Sequence, residues 1–280
     1  MLVVIGDLVA DLIVLGGAAL EHGTDNPAEV RLTRGGSAAN VAVAASPRRP
    51  VRFIGRVGDD TLGRTLAGEL AAAGVDVRVQ RAGRTGAIVV LVDAGGERTM
   101  ITDRGAAAEL GPIDPQWLTD AEWVHLPLYG FAAPPSRAAL LETARLLADR
   151  GVPTSLDLSS VATMRDLGAD TLSNILAAVA PAVVFANADE AAAAAQLGLD
   201  PALTGVYVVK RGGDPVIVRI DGAAVEVPVE RVADVVDSTG AGDAFAAGYL
   251  TAALSGASPQ QSARAGSTLA MSALRRAGAL

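Results

Sequence analysis

The stretch Asp237-Ser238-Thr239-Gly240-Ala241-Gly242-Asp243 runs straight into Ala244-Phe245-Ala246-Ala247-Gly248-Tyr249-Leu250. It reads as a strand end, a glycine turn and the first turn of a helix, with a carboxylate inside that turn. A helix start offers unpaired N–H groups and the positive end of the macrodipole, which suit a phosphate. Gly240 and Gly242 allow several N–H groups to converge on one anion. An acid beside such a cradle repels the anion, so Asp243 makes sense there as a proton acceptor for a hydroxyl about to be phosphorylated. On local physics alone, a glycine-rich helix entry capped by Ser238 or Thr239 stays open as the alternative. The run is not the dinucleotide fingerprint, no P-loop pattern occurs, and Lys210 is the only lysine.

These residues need elements to hold them. A chain of 280 residues, half of them hydrophobic, can build a sizeable α/β core. Runs 2–5, 51–54, 123–126, 152–156, 182–185 and 206–209 read as strands, with helices at about 61–73 and 136–150 and a run of alanines at 191–195 between them. Strands alternating with helices imply βαβ units and a mostly parallel sheet covered on both faces. Segments of about 11–34 and 83–104 break the rhythm with strand-like pieces and no helices. Residues 87–92 and 98–102 read as a hairpin around Asp93-Ala94-Gly95-Gly96.

Composition narrows the partners. Aromatic residues are only 3% of the chain and the net charge is −8, which speaks against nucleic-acid and anionic-membrane surfaces. There is no cysteine and only two histidines, so thiolate chemistry and histidine metal clusters are out. Asp7 and Asp11 interrupt the apolar N-terminus, which lacks a basic flank, so a buried strand is expected there and not a signal peptide. We expect a soluble cytoplasmic protein.

In open α/β sheets, ligands gather at the carboxyl ends of strands. Gly6-Asp7, Asp157, Asn187 and Lys210 to Gly212 all fall at such ends, which suggests one cleft. Asn187-Ala188-Asp189-Glu190 has the spacing of a capping box, which needs no ligand.

The residues from Asp237 to Gly248 resemble the C-terminal signature of the ribokinase-like, or phosphofructokinase B (PfkB), family of carbohydrate kinases. A second signature of that family is similar to Gly35-Gly36-Ser37-Ala38-Ala39-Asn40-Val41-Ala42, followed by Gly55-Arg56-Val57-Gly58-Asp59-Asp60 and Gly63. The resemblance implies a three-layer α/β/α, Rossmann-like fold with a mostly parallel central sheet and a small β lid. It implies a single kinase domain over residues 1–280, with the lid built from about 11–34 and 83–104. The activity implied is ATP-dependent phosphorylation of a hydroxymethyl group on a sugar or sugar derivative. Asp243 would be the base, and the N–H groups of Gly240, Ala241, Gly242 and Asp243 the anion hole. Asp11, Gly35, Gly36 and Asn40 would frame the sugar. Asn187, Lys210, Gly212 and Thr239 would meet the nucleotide. Glu190 and Asn187 would organise Mg²⁺ through water, and Asp237 near the tail 276–279 would hold K⁺. Lid edges could pair two subunits.

Departures from the family pattern leave the acceptor open. Ser37 and Ala38 stand where ribokinase carries a lysine and a glycine, and Leu128 and Tyr129 where it carries an acidic sugar contact. Arg104 falls near the lid arginine of 2-keto-3-deoxygluconate kinases, as the fork for a sugar acid, yet Thr102 and Asp103 replace its companion tyrosines. A nucleoside kinase of the same family, and a non-catalytic sugar or nucleotide sensor on the same fold, are the alternatives. The intact Gly240-Ala241-Gly242-Asp243 argues against a sensor.

Overall fold

Leu2-Val3-Val4-Ile5 shows no polar alternation, the pattern of a strand covered on both faces. In the computed structural model all four residues are buried. The structure describes every residue except 17–19, 94–97, 201–204, 233–234, 236–237 and 276–280.

The first half of the chain runs β1 (Leu2–Ile5), β2 (Val9–Leu15), β3 (Glu29–Gly35), α1 (Ser37–Ala45), β4 (Val51–Val57), α2 (Thr61–Ala72), β5 (Asp76–Arg81), β6 (Thr85–Val92) and β7 (Arg98–Gly105). It continues with β8 (Trp123–Pro127), α3 (Pro134–Asp149), β9 (Thr154–Asp157), α4 (Val161–Val179), β10 (Val183–Asn187) and α5 (Ala188–Gln196). The last elements are β11 (Val206–Arg211), β12 (Asp214–Ile220), β13 (Ala223–Val227), α6 (Ala241–Ala253) and α7 (Pro259–Leu274).

A nine-stranded sheet has the order β13-β12-β11-β10-β9-β8-β1-β4-β5. From β11 to β5 every pairing is parallel, and β12 and β13 add an antiparallel edge. Alternate residues of β1 feed two cores. Leu2 and Val4 join α1, α2, α6 and α7 on one face, and Val3 and Ile5 join α3, α4 and α5 on the other. The three-layer α/β/α arrangement expected from the resemblance is therefore present. The order reverses between β1 and β8, because β4 and β5 extend one way and β8 to β11 the other. Such a switch point opens a crevice at the strands' carboxyl ends.

Several boundaries differ from the sequence reading, and two of them have a plain local cause. α3 starts at Pro134, since proline tolerates the first helical turn. β9 starts at Thr154 because the Val152 N–H is held by the Leu147 carbonyl at 2.9 Å, closing the helix end. The long helix α4 and the β12–β13 edge hairpin are additions that the sequence reading does not contain.

β2, β3, β6 and β7 form a separate four-stranded sheet in the order β3-β2-β6-β7. β2 and β6 pair in parallel, and the outer pairings are antiparallel, including β6–β7 as expected of the hairpin. The turn residues 94–97 lie outside the described residues. Register places Leu32, Leu12, Val89 and Ile101 in one row. Val30, Leu32 and Ile101 are 59%, 62% and 60% exposed, so this face carries an apolar patch. Among the described residues no helix is long and apolar enough to cross a membrane.

Candidate active site

α6 begins where the sequence reading puts a helix start. Gly240 is its N-cap with φ 73° and ψ 0°, a left-handed conformation that favours glycine, and no side chain caps this end. The alternative of a Ser238 or Thr239 side-chain cap is thereby set aside; Thr239 lies in the turn just before Gly240. The Ala241 N–H is engaged by the Ser238 carbonyl at 3.3 Å, and the Ala244 N–H by the Gly240 carbonyl at 2.8 Å. Between them, Gly242 and Asp243 occupy the first turn, whose N–H groups helix geometry leaves without intrahelical carbonyls. Of the four N–H groups expected to form an anion hole, that of Ala241 thus already has a backbone partner.

The Asp243 carboxylate lies against the start of α1. The Ser37 hydroxyl donates to its Oδ1 at 2.6 Å, and the Asn40 amide donates to its Oδ2 at 2.9 Å. Burial nevertheless pushes its pKa up to about 6; Ser37 and Asn40 oppose the rise, nearby Asp157 adds to it, and Lys210 opposes it. The result is a carboxylate ionised at neutral pH and far more basic than an exposed one.

Asn40 is buried, and its other amide atom is taken as well. The Arg34 guanidinium donates from Nη1 to Asn40 Oδ1 at 3.0 Å. Both ends of the Asn40 amide thus meet protein groups, and an amide has a second N–H and a second lone pair for a ligand hydroxyl. Gly36 caps α1 with φ 103°, and a side chain there would meet the Asp7 carbonyl at 2.3 Å. Gly35 lies so close to Asp11 that an added Cβ would sit 2.1 Å from its Oδ1.

Asp11 stands on β2, in the small sheet. Its Oδ1 is buried with no partner in the described structure, and burial pushes the carboxyl up to about 6, partly offset by Arg34. A buried carboxylate oxygen without a donor suits a ligand hydroxyl. Arg104 meets a protein partner too. Its Nε and Nη2 both donate to Asp7, each at 2.7 Å, in a bidentate pair. Both side chains are largely buried, so the fork expected to grip a sugar acid joins β7 to the loop after β1.

On the nucleotide side, the Lys210 ammonium donates to Asp157 Oδ2 at 2.9 Å. A methyl group on Gly242 would come within 3.4 Å of that ammonium, so the cation abuts the start of α6. Gly212 turns the chain from β11 into β12 with φ 60°. Asn187 and Glu190 form a complete capping box. The Glu190 N–H donates to Asn187 Oδ1, and the Asn187 N–H and side-chain amide donate to the two Glu190 oxygens, each at 2.8 Å. Burial, with Asp157 nearby, pushes Glu190 up to about 7, while Lys210 opposes.

These donors bear on Mg²⁺. Among the described residues no three His, Cys, Asp or Glu side chains converge to cage a metal. Each Glu190 oxygen keeps a lone pair beyond its bond to Asn187, which fits a hydrated ion reached through water and not a directly bound one. Asp237, expected to hold K⁺, and the tail 276–279 lie outside the described residues.

Arg34 and Ser37 escaped the sequence reading as site residues, whereas Asp7 and Asp157 were read at strand ends of the cleft without a role. Asp157 carries a signal as a strand-end acid. Arg34 and Ser37 flank the two glycines and reveal themselves only through what they touch.

The fold and the cleft define a kinase of the ribokinase-like class. The chain matches the family described as pfkB family carbohydrate kinase over residues 1–280, and it belongs to that family. It is 36% identical to the ATP-dependent ribose-1-phosphate kinase of Halopiger xanaduensis over 240 residues, 81% of this chain and 76% of the relative. It is 31% identical to a fructokinase of Klebsiella pneumoniae over 254 residues, 85% of this chain and 82% of the relative. The solved adenosine kinase of Sinorhizobium meliloti superposes with a TM-score of 0.86 at 25% identity, covering 99% of this chain and 94% of that one. The protein is therefore an ATP-using sugar or nucleoside kinase, and its general reaction agrees with the expectation drawn from its motifs.

Proposed function

We propose that this chain transfers the γ-phosphoryl group of ATP to a hydroxymethyl oxygen of a sugar or sugar derivative. The observation that carries the reading is a basic carboxylate, Asp243, fixed by two donors at the mouth of an uncapped helix start. Phosphoryl transfer asks the protein chiefly for positioning and charge stabilisation. Asp243 takes the proton of the attacking hydroxyl. The N–H groups at Gly242 and Asp243 receive charge on the transferring phosphate, as members of the Gly240–Asp243 turn. Lys210, released in part from Asp157, faces the same phosphates, and Gly212 and Thr239 border the nucleotide. Asp11 accepts sugar hydroxyls, and Gly35 and Gly36 let the backbone approach. Mg²⁺ held by ATP phosphates and by water on Glu190 and Asn187 would neutralise polyphosphate charge.

Residues 1–280 act as one kinase domain, with the segments 11–34 and 83–104 as a lid over the sugar. A plain sugar is favoured over a nucleoside by the aromatic inventory. Of nine Phe, Tyr and Trp residues, Phe53, Phe131, Phe185, Phe245, Tyr207 and Tyr249 are buried in the two cores, leaving few rings to stack on a nucleobase. A panel of pentoses, hexoses, sugar phosphates, sugar acids and nucleosides with Mg²⁺–ATP tests the reading by acceptor-dependent ADP release. Neutral or phosphorylated sugars should give the highest kcat/KM. Preference for a sugar acid would restore Arg104 as a substrate contact, and no turnover with any acceptor would sink the proposal. Exchanging KCl for tetramethylammonium chloride in the same assay tests K⁺ beside Asp237; unchanged rates would remove it.

We propose that the small sheet pairs with a second copy of the chain, through its edge or its exposed apolar face. Replacing Leu32 with glutamate should turn a dimer into a monomer in sedimentation; a monomeric parent protein would refute the pairing.

A further inference from the structure

Asn40 lies between two neighbours of opposite hydrogen-bonding kind. An amide side chain has an oxygen end and a nitrogen end of almost the same shape, so only its partners decide which way it faces. Asp243 in its ionised form is an acceptor and needs the NH₂ end. Arg34 is a donor in every state and needs the oxygen end. The structure has both: Arg34 Nη1 to Asn40 Oδ1 at 3.0 Å, and Asn40 Nδ2 to Asp243 Oδ2 at 2.9 Å. Asn40 is buried, so no bulk solvent can replace a lost partner. The three residues come from different elements. Arg34 is on β3 of the small sheet, Asn40 on α1, and Asp243 on α6.

Resting on the reading of Asp243 as the base, we infer that Arg34 is a positioning residue: it locks the Asn40 amide so that its NH₂ holds Asp243, which ties the base to strand β3. The small sheet then does more than cover the acceptor. Its edge strand carries the group that sets the base, so a displaced sheet leaves the Asn40 amide free to turn its oxygen toward the carboxylate. The base is aligned only while the sheet is in place, which guards ATP against transfer to water.

Kinetics of Arg34→Met, Asn40→Ala and the double variant test this, with the acceptor that the panel identifies. Methionine keeps the apolar stem and removes the donors. Loss of a charge-assisted bond in a buried relay should cost about tenfold to hundredfold in kcat. KM for ATP should stay within about threefold of the parent value, and KM for the acceptor should rise less than kcat falls, since Arg34 reaches the acceptor only through its field on Asp11. Because Arg34 works through Asn40, the double variant should be no slower than Asn40→Ala alone. Arg34→Lys keeps the charge and loses the fixed fork, so it should fall between parent and Arg34→Met, and only when Asn40 is present. If Arg34→Met does not fold, the lysine variant in both backgrounds carries the same comparison. Multiplying losses in the double variant would overturn the relay, as would a raised acceptor KM at unchanged kcat. Asp243→Asn separates the two ideas: if it retains turnover the base assignment fails, whatever Arg34 does.

Discussion

Replacing Asp243 with asparagine should lower kcat by roughly 10²–10⁴, the usual worth of a positioned base, with ATP affinity nearly unchanged in calorimetry. Asparagine keeps the size of the side chain and cannot accept the proton. The parent enzyme should show the same group in its pH profile. Asp243 must be ionised to act, and burial places its pKa near 6. Its charged and titratable neighbours are Arg34 from β3, Tyr129 after β8, Asp157 at the end of β9 and Lys210 at the end of β11. Their net effect leaves burial dominant, so kcat/KM should fall about tenfold per pH unit below about 6. The sign for stability is the reverse. A folded pKa of about 6 against an ordinary value of 3.8 means that the folded state binds the extra proton between these limits. The contribution is full below pH about 4 and is lost as pH rises through about 6. At pH 8 the asparagine variant should therefore melt above the parent, and near pH 4 this advantage should vanish. An asparagine variant with most of the parent turnover would dismiss Asp243 as the base.

Lys210→Met should lower the free energy of unfolding by about 3–5 kcal/mol, because it breaks a buried ion pair from one side. The Lys210 side chain is 16% exposed and that of its partner Asp157 only 8%. Lys210 also opposes the burial that raises Glu190 and Asp243, so its loss leaves several acids without their cation. Urea titration reads the loss. A second change, Asp157→Leu, should restore most of the stability, since an apolar pair of similar volume need not be worse than an ion pair. Activity should not return with it, because the cation beside Gly242 is still missing. A single variant within about 1 kcal/mol of the parent would show that the pair carries little of the fold.

The legible parts of this molecule were those written in local pattern. The unbroken apolar run of β1, Leu62, Leu66 and Leu70 four residues apart on α2, and the glycine turn before α6 each announce their element within a few residues. The placement of Asp243, Asn187 and Lys210 at strand ends and a helix start followed from those elements. Partners were not legible. Arg104 was read as a sugar-acid fork from its likeness to a lid arginine, and nothing local announces Asp7, which reaches it from 97 positions away. Asn40 was read as a sugar contact from its likeness to a family motif, and the arrival of Asp243 and Arg34 around it was not readable. Glu190 gave a capping box from spacing alone, and that box is complete. Periodicity tells which face of an element is buried. It does not tell which of two buried polar groups will satisfy the other.

Ser37 and Asp243 are 206 positions apart. β1 cannot complete its pairings until β8, at residues 123–127, has been made. Closing such long loops is slow compared with forming helices, so the sheet is assembled from distant pieces. On a ribosome the sugar-side residues emerge first, and Asn40 waits for its carboxylate until α6 leaves the exit tunnel and docks against α1. A half-made chain therefore lacks Asp243 and the glycine turn, the residues to which the proposed reaction gives the base and the phosphate cradle. Connectivity places them late in the order of synthesis.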